Sequence, residues 1–445
     1  MNSLLNIKNI YLRFIFYIFI WQFYILFMSI YSPLGAEWLD CHTQIVNNHI
    51  LFSKNNGYLS NYGFSIWSIC SDLTNLELTN DKIYLSHTIF SSIPYILINE
   101  LIGNNAFKNY GYLFNYLIIF TTGALISEII IKLSKENKNT NVYNFFRSIL
   151  IFTFFTINPW TYKMILLHWV HIFFIFFFLL GILMFLMKKN KLGLVFFFIS
   201  GCFDYQSSAA LTFFYSIIII LIFYVKNDNF IRNFMPFLSE INNAKYKIIF
   251  SFSVPVIIYF FLRFLASTEL NLYAGTSILE RIGISGDDPF NGGILGALQF
   301  LGGNRITNCL MYSPTDINLM NLNQKMYFFY CSLSIMSMAI ISIFSIVGLF
   351  YLAKNEKFLF NSVALPLVFI FLCYTFILQQ SSSVHLKGYS YFFSVLFSIG
   401  ITSLILEILK RFKFSITSIL SLTPITFGIM LLCIRVSMLT GPHGN

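Results

Sequence analysis

The feature that most constrains this chain is a series of long apolar runs. A run of about 20 apolar residues is the length that an α-helix needs to cross a lipid bilayer. Eleven such runs lie along the 445 residues, at about 11–31, 110–131, 144–158, 164–187, 192–206, 208–225, 248–266, 327–353, 361–379, 389–408 and 415–436. The sequence therefore predicts an all-α, polytopic integral membrane protein with about eleven transmembrane helices.

The composition excludes the main alternatives. Hydrophobic residues make up 57% of the chain and charged residues 10%, whereas soluble proteins have about 45–50% and about 25%. Disorder is excluded because side chains that can be buried are abundant. The first run is too long for the apolar core of a signal peptide and lacks a small-residue cleavage site, so we interpret it as a retained anchor.

The positions of the basic residues predict the orientation. If 83–103 is an interfacial helix at the outer surface and not a span, the connections on one side carry eighteen of the 28 Lys and Arg residues. Such residues concentrate in cytoplasmic loops. We therefore expect a cytoplasmic N-terminus and an exterior C-terminus, with the protein in a bacterial inner (plasma) membrane. The net charge of +10 then requires no nucleic-acid partner.

This topology makes residues 1–445 one membrane domain with two long exterior loops, 32–109 and 267–325. Loops of this size are usually functional. No internal repeat is visible, which argues against an inverted-repeat transporter. The loops contain Cys41, Cys70 and Cys309, and a disulfide among them stays open.

Ionisable residues gather at the predicted outer face, where the cost of placing them near lipid favours a functional role. Glu37 and Asp40 follow the first span, and Asp204 lies in a short turn between two apolar runs. His168 and His171 are three residues apart and so share a helix face. The alternative to a functional role is that Glu37 and Asp40 are solvated residues at a helix end. For Asp204 the alternative is a structural pairing. The further candidates at this face are Arg281, His385 and Lys387.

Several of these stretches resemble the GT-C class of membrane glycosyltransferases, in particular its protein mannosyltransferases and aminoarabinose transferases. The segment 37–46 is similar to the acidic start of the long first exterior loop in that class. Tyr84-Leu85-Ser86-His87 resembles the element that leads into its interfacial helix, although the usual Pro-Pro pair is missing. The segments 158–160, with His168, and 203–205, together with His385, are also similar to bacterial members.

The resemblance implies a GT-C-like fold and the transfer of a sugar from a polyprenyl-phosphate carrier to an acceptor hydroxyl on the non-cytoplasmic face. We expect Asp40 to be the general base, with Glu37 as the second choice. Asp204 would orient sugar hydroxyls or hold a basic partner. The remaining candidates for substrate binding, several of them beside the phosphate, are His87, His168, His171, Arg281, His385 and Lys387.

The expected partners are membrane lipid, the lipid-linked donor and an acceptor that the sequence does not identify. No cofactor beyond the donor is predicted. A divalent ion held by Asp40 with Asp204 or His42 is an alternative that no ligand spacing requires. A flippase or transporter of lipid-linked saccharides, and a polysaccharide polymerase or ligase, are the competing functions.

Overall fold

The computed structural model describes most of the apolar runs and part of the first predicted loop. The described ranges are 10–31, 64–66, 83–88, 92–133, 141–158, 170–225, 245–269, 322–378 and 386–411, with residues 50, 54, 57, 90, 160, 161, 164 and 428 between or beyond them. All structural statements below concern these residues.

The described part of the chain is dominated by helices. They are α1 (Ile10–Tyr31), α2 (Ile93–Ile102), α3 (Asn104–Tyr110), α4 (Tyr112–Leu133), α5 (Asn141–Thr156), α6 (Val170–Leu186), α7 (Asn190–Phe203), α8 (Tyr205–Val225), α9 (Lys245–Glu269), α10 (Leu322–Asn355), α11 (Lys357–Ile377) and α12 (Leu386–Arg411). Each of the first ten apolar runs coincides with one of these helices. The eleventh run, 415–436, lies outside the described residues apart from Gly428.

Five stretches in the described part of the chain are helical, long and apolar enough to cross a membrane. They are Tyr112–Leu133, Tyr246–Ser267, Met336–Asn355, Lys357–Ile377 and Tyr391–Arg411. The described parts of α1, α6, α7 and α8 are also apolar but shorter, at 10–17 residues. The membrane character expected from the composition is thus present in the fold.

The prediction of one helix over 83–103 is wrong in its first part. Residues Ile83–Thr88 form a strand, β2, which pairs antiparallel with β1 (Phe64–Ile66). Helix begins only at Ile93, with Pro94 in its first turn. A proline fits there because the first helical N–H groups have no partner within the helix. The two strands form a small sheet joined to the helical bundle through α2.

The helices pack through small residues at their closest approach. Ser345 of α10 donates a hydrogen bond to the carbonyl oxygen of Phe397 in α12, at 3.0 Å. A Cβ atom on Gly348 would overlap the backbone of Gly400. Without a side chain at either glycine the two backbones can touch, which is a common basis of helix association in membranes.

Helix α11 is interrupted by two wider π-helical turns, Phe360–Ala364 and Cys373–Ile377. Pro366 lies just after the first of them. Because proline has no N–H to donate to the preceding turn, a local change of hydrogen-bonding pattern is expected there. Single π turns within α-helices are often found at functional sites.

Candidate functional site

The turn between α7 and α8 is built around Asp204. Its Oδ1 atom accepts hydrogen bonds from the backbone N–H groups of Gln206, at 3.1 Å, and Ser207, at 3.2 Å. This is the arrangement of a helix N-cap, in which a side-chain oxygen satisfies N–H groups that have no partner within the helix. The short turn seen in the sequence is therefore the capped start of α8.

Side chains from two other helices, α6 and α11, contact the same carboxylate. Nδ1 of His171, at the start of α6, lies 2.8 Å from Oδ2 of Asp204. The hydroxyl of Tyr374, in the second π turn of α11, donates to Oδ2 at 3.1 Å, and the hydroxyl of Ser207 donates to the same oxygen. An ionised carboxylate only accepts hydrogen bonds, so Nδ1 of His171 carries a proton.

This cluster is removed from solvent. Asp204 is 3% exposed and His171 is 5% exposed. Burial raises the pKa of the Asp204 carboxyl, but the imidazole of His171 and the hydrogen bonds from Ser207 outweigh burial and lower this pKa to about 2. The carboxylate is therefore charged at neutral pH, held by a histidine, a serine, a tyrosine and two backbone groups.

Aromatic rings enclose the imidazole. The ring of Tyr374 meets that of His171 edge to face, with centroids 5.9 Å apart, and the ring of Phe392 from α12 lies 5.3 Å away. These contacts fix the plane of the imidazole, while its bond to the carboxylate fixes its position. The geometry is that of a preorganised polar group inside an apolar bundle.

A shallow, partly open groove with an enclosed volume of about 20 Å³ lies on the other side of the same turn. Its lining is mostly aromatic and apolar, and consists of Phe90, Gly201, Cys202, Phe203, Tyr205, Pro255, Ile258 and Tyr259. A Cβ atom on Gly201 would overlap Pro255 of α9, so the glycine lets α7 and α9 approach closely behind the groove. Phe203 and Tyr205 directly flank Asp204, so the groove and the buried cluster share one turn of chain.

The mouth of this groove carries a cationic group. The rings of Tyr205 and Tyr259 stack with centroids 3.6 Å apart. A guanidinium nitrogen of Arg263 donates to the hydroxyl of Tyr259 at 3.1 Å. A flat aromatic wall with a nearby guanidinium can contact the apolar face of a ring and an anionic group at the same time.

Two of the residues predicted as a site, Asp204 and His171, are thus brought into contact. Glu37, Asp40, His168, Arg281 and His385 lie outside the described residues. His87 lies in β2 and Lys387 in the first turn of α12, and their side chains are outside the described set. The three loop cysteines and His42 also lie outside it.

The sequence reasoning missed Tyr374 and the aromatic groove. Tyr374 is 170 residues from Asp204, and no local pattern marks it. Ser207 could have been found, because a polar residue three positions after an N-cap aspartate commonly bonds back to it. Within the described ranges, no group of three or more His, Cys, Asp or Glu residues is placed to hold a metal ion.

The burial of Asp204 restricts what this cluster can do. A carboxylate that is 3% exposed and accepts hydrogen bonds on both oxygens is suited to hold His171 in place and not to attack or deprotonate a substrate directly. The groove beside it is where a ligand can be accommodated. Comparisons with models of protein families, with curated proteins and with solved structures find nothing that matches this chain.

Proposed function

We propose that this protein is a membrane glycosyltransferase of the GT-C type, which moves a sugar from a polyprenyl-phosphate carrier to an acceptor hydroxyl. The observation that supports this most is the aromatic groove that shares a turn with the buried Asp204–His171 pair. It combines three things that such a reaction needs at one end of a helical bundle: an apolar cleft, a cationic group and a rigid polar anchor.

The groove has the lining of a small-ligand site and is open on one side. Its enclosed volume is about 20 Å³, so a sugar would lie across its open side and not inside a closed pocket. The rings of Phe203 and Tyr205 offer flat apolar faces, on which the C–H face of a sugar can pack. Arg263, bonded to Tyr259, is a candidate to neutralise the phosphate as the glycosidic bond breaks.

The proposal includes the orientation predicted from the charges. Eleven helices would cross the membrane, with the groove at the exterior end. The deprotonation of the acceptor is assigned to Asp40, with Glu37 as the second choice, since a general base must reach the attacking hydroxyl. Asp204 is a positioning residue, because its carboxylate contacts His171 and the start of α8 and not the groove itself.

The test is a transfer assay on membranes that contain the full-length protein. Membranes are incubated with radiolabelled polyprenyl-phosphate sugars, and the release of free polyprenyl phosphate is measured together with transfer of the label. We expect release in wild type and loss of release in Asp40→Asn at unchanged protein level. Glu407→Gln is the matched control, because this carboxylate is bonded to Tyr351 and Arg411 at the opposite end of the bundle.

Two outcomes would reject the proposal. Labelled donor that crosses the membrane intact, with no release of polyprenyl phosphate, would identify a flippase. Full transfer in Asp40→Asn and in Glu37→Gln would leave the reaction without its assigned base. Extension of a polymeric product by whole repeat units would instead indicate a polymerase or ligase that uses the same donors.

A further inference from the structure

In the described part of the chain, all five helices that are long and apolar enough to cross a membrane carry exposed cations at one end. In α9 this cation is Lys247, in the first turn. Helix α4 has Lys132 in its last turn, α10 has Lys354 in its last turn, α11 begins at Lys357, and α12 ends with Lys410 next to Arg411. All of these side chains are exposed. We call Lys132, Lys354, Lys357 and Lys410 the lysine surface.

The contacts between α4, α10, α11 and α12 place their cationic ends together. Tyr351 of α10 donates a hydrogen bond to Glu407 of α12, so the last turns of these two helices are neighbours. Arg147, in the second turn of α5, binds Glu356 in the turn between α10 and α11, at 2.7 Å. Helix α4 also packs against the first turn of α11. The lysine surface therefore lies at one end of the bundle.

The acidic residues at this end are already engaged. Glu356 is bound by Arg147, and Glu407 is bound by Arg411 at 2.6 Å. Among the described residues, the members of the lysine surface form no ion pair. The arginines thus pair with the local carboxylates, and Lys410 adds to the positive charge around Glu407, so this end of the bundle carries an excess of positive charge.

We propose that the lysine surface binds the headgroups of anionic phospholipids. Its lysines lie at the ends of apolar helices of 20–22 residues. A helix of this length spans the hydrocarbon core, so its ends lie at the level of the lipid phosphates. Each lysine next to an anionic membrane surface strengthens the binding of the protein to that surface by about fivefold. Lysines on adjoining helix ends can engage one lipid or two adjacent lipids, which single scattered lysines cannot.

The test uses purified full-length protein in detergent and a fluorescent phosphatidylglycerol as the probe. The triple variant Lys354→Gln/Lys357→Gln/Lys410→Gln should bind this lipid at least about tenfold more weakly than wild type. Phosphatidylcholine should compete poorly with the probe. All three side chains are exposed, so the variant should fold, and its thermal unfolding midpoint is measured to verify this.

The matched control removes a lysine at the other end of α10. Lys325 is exposed in the first turn of this helix, and Lys325→Gln should weaken lipid binding less than about twofold, whereas Lys354→Gln in its last turn should weaken it by about fivefold. An equal loss in these two single variants would show a general charge effect and would overturn the proposal. It would also be overturned if soluble glycerol phosphate bound as tightly as the lipid, because the ligand would then come from water. Neither result depends on the glycosyltransferase assay.

Discussion

Replacement of Asp204 by Asn separates the two roles of this carboxylate, which caps α8 and binds His171. The amide oxygen of Asn can still accept hydrogen bonds from the N–H groups of Gln206 and Ser207, and Asn is as good an N-cap as Asp. The negative charge beside His171 is lost, and the new NH₂ group points a donor at the hydroxyls that now donate to Oδ2. The variant therefore tests the contact between the charged carboxylate and His171 with the cap retained.

The magnitude follows from the burial of both partners. A hydrogen bond to a charged group contributes about 1.5–3 kcal/mol, and a buried partner left without its acceptor adds to the loss. With His171 5% exposed and Asp204 3% exposed, we expect Asp204→Asn to lose about 3 kcal/mol of unfolding free energy. Asp204→Ala should lose about 1 kcal/mol more, since the cap is removed as well.

The measurement is denaturant unfolding of the purified protein in detergent, followed by tryptophan fluorescence, since Trp160 is fully buried. Glu407→Gln is the control, because its Arg411 partner is largely exposed and such pairs contribute about 0–1 kcal/mol. The double variant Asp204→Asn/His171→Gln should be less destabilised than the sum of its single variants, by about 0.5–3 kcal/mol.

Two results would refute this reasoning. If Asp204→Asn unfolded within about 1 kcal/mol of wild type, the contact between the carboxylate charge and His171 would contribute little and the cap would be the main role of this residue. If the effects of the two single variants simply added, Asp204 and His171 would not be coupled, contrary to the 2.8 Å contact between them.

Three further predictions follow from other contacts. Gly348→Ala should destabilise the protein by about 1–3 kcal/mol, because the new methyl group overlaps the backbone of α12, whereas Gly428→Ala, with no atom nearby, should be neutral in the same unfolding assay. Arg13→Met should cost about 2–3 kcal/mol, because it leaves the part-buried Glu128 of α4 without its cationic partner and with a long hydrogen bond from Tyr17; adding Glu128→Leu should recover most of this loss in thermal unfolding. Since the pKa of Asp204 is lowered to about 2, its ionised form stabilises the fold above about pH 4. The stability difference between wild type and Asp204→Asn should therefore stay constant down to about pH 4 and shrink as the pH falls towards 2.

Much of the helical architecture could be predicted from the sequence, because lipid requires long apolar runs and such runs are visible without any partner. The strand at Ile83–Thr88 could not be predicted, because a strand is recognised through its partner and this partner is distant in the sequence. It pairs with residues 64–66, and no local periodicity reveals a partner that lies in a polar loop. The length of the apolar segment favoured a helix that in fact begins only at Ile93.

The candidate site was predicted in part. Asp204 was recognised because a carboxylate in a short turn between two apolar runs is expensive. The sequence allows a structural pairing for this residue but does not identify the partner, and in the structure His171 lies 2.8 Å from the carboxylate. The contribution of Tyr374 could not be foreseen, since its direction depends on a π turn and on how α11 packs against α8.

The two π turns of α11 have a consequence for how this helix tolerates changes in length. Each residue of an α-helix turns the chain by about 100°, and a π turn accommodates one residue more than the α-helical pattern does. Loss of one residue from Phe360–Ala364 could therefore be absorbed by a return to regular α-helix, and the side chains beyond that point, including Tyr374, would keep their direction. Loss of one residue from the regular α-helical stretch Leu365–Leu372 could not be absorbed in this way. Every side chain beyond it would rotate by about 100°, and Tyr374 would no longer face Asp204. In α11, the residue count within a turn, and not its hydrophobicity, decides which side chain reaches the buried carboxylate.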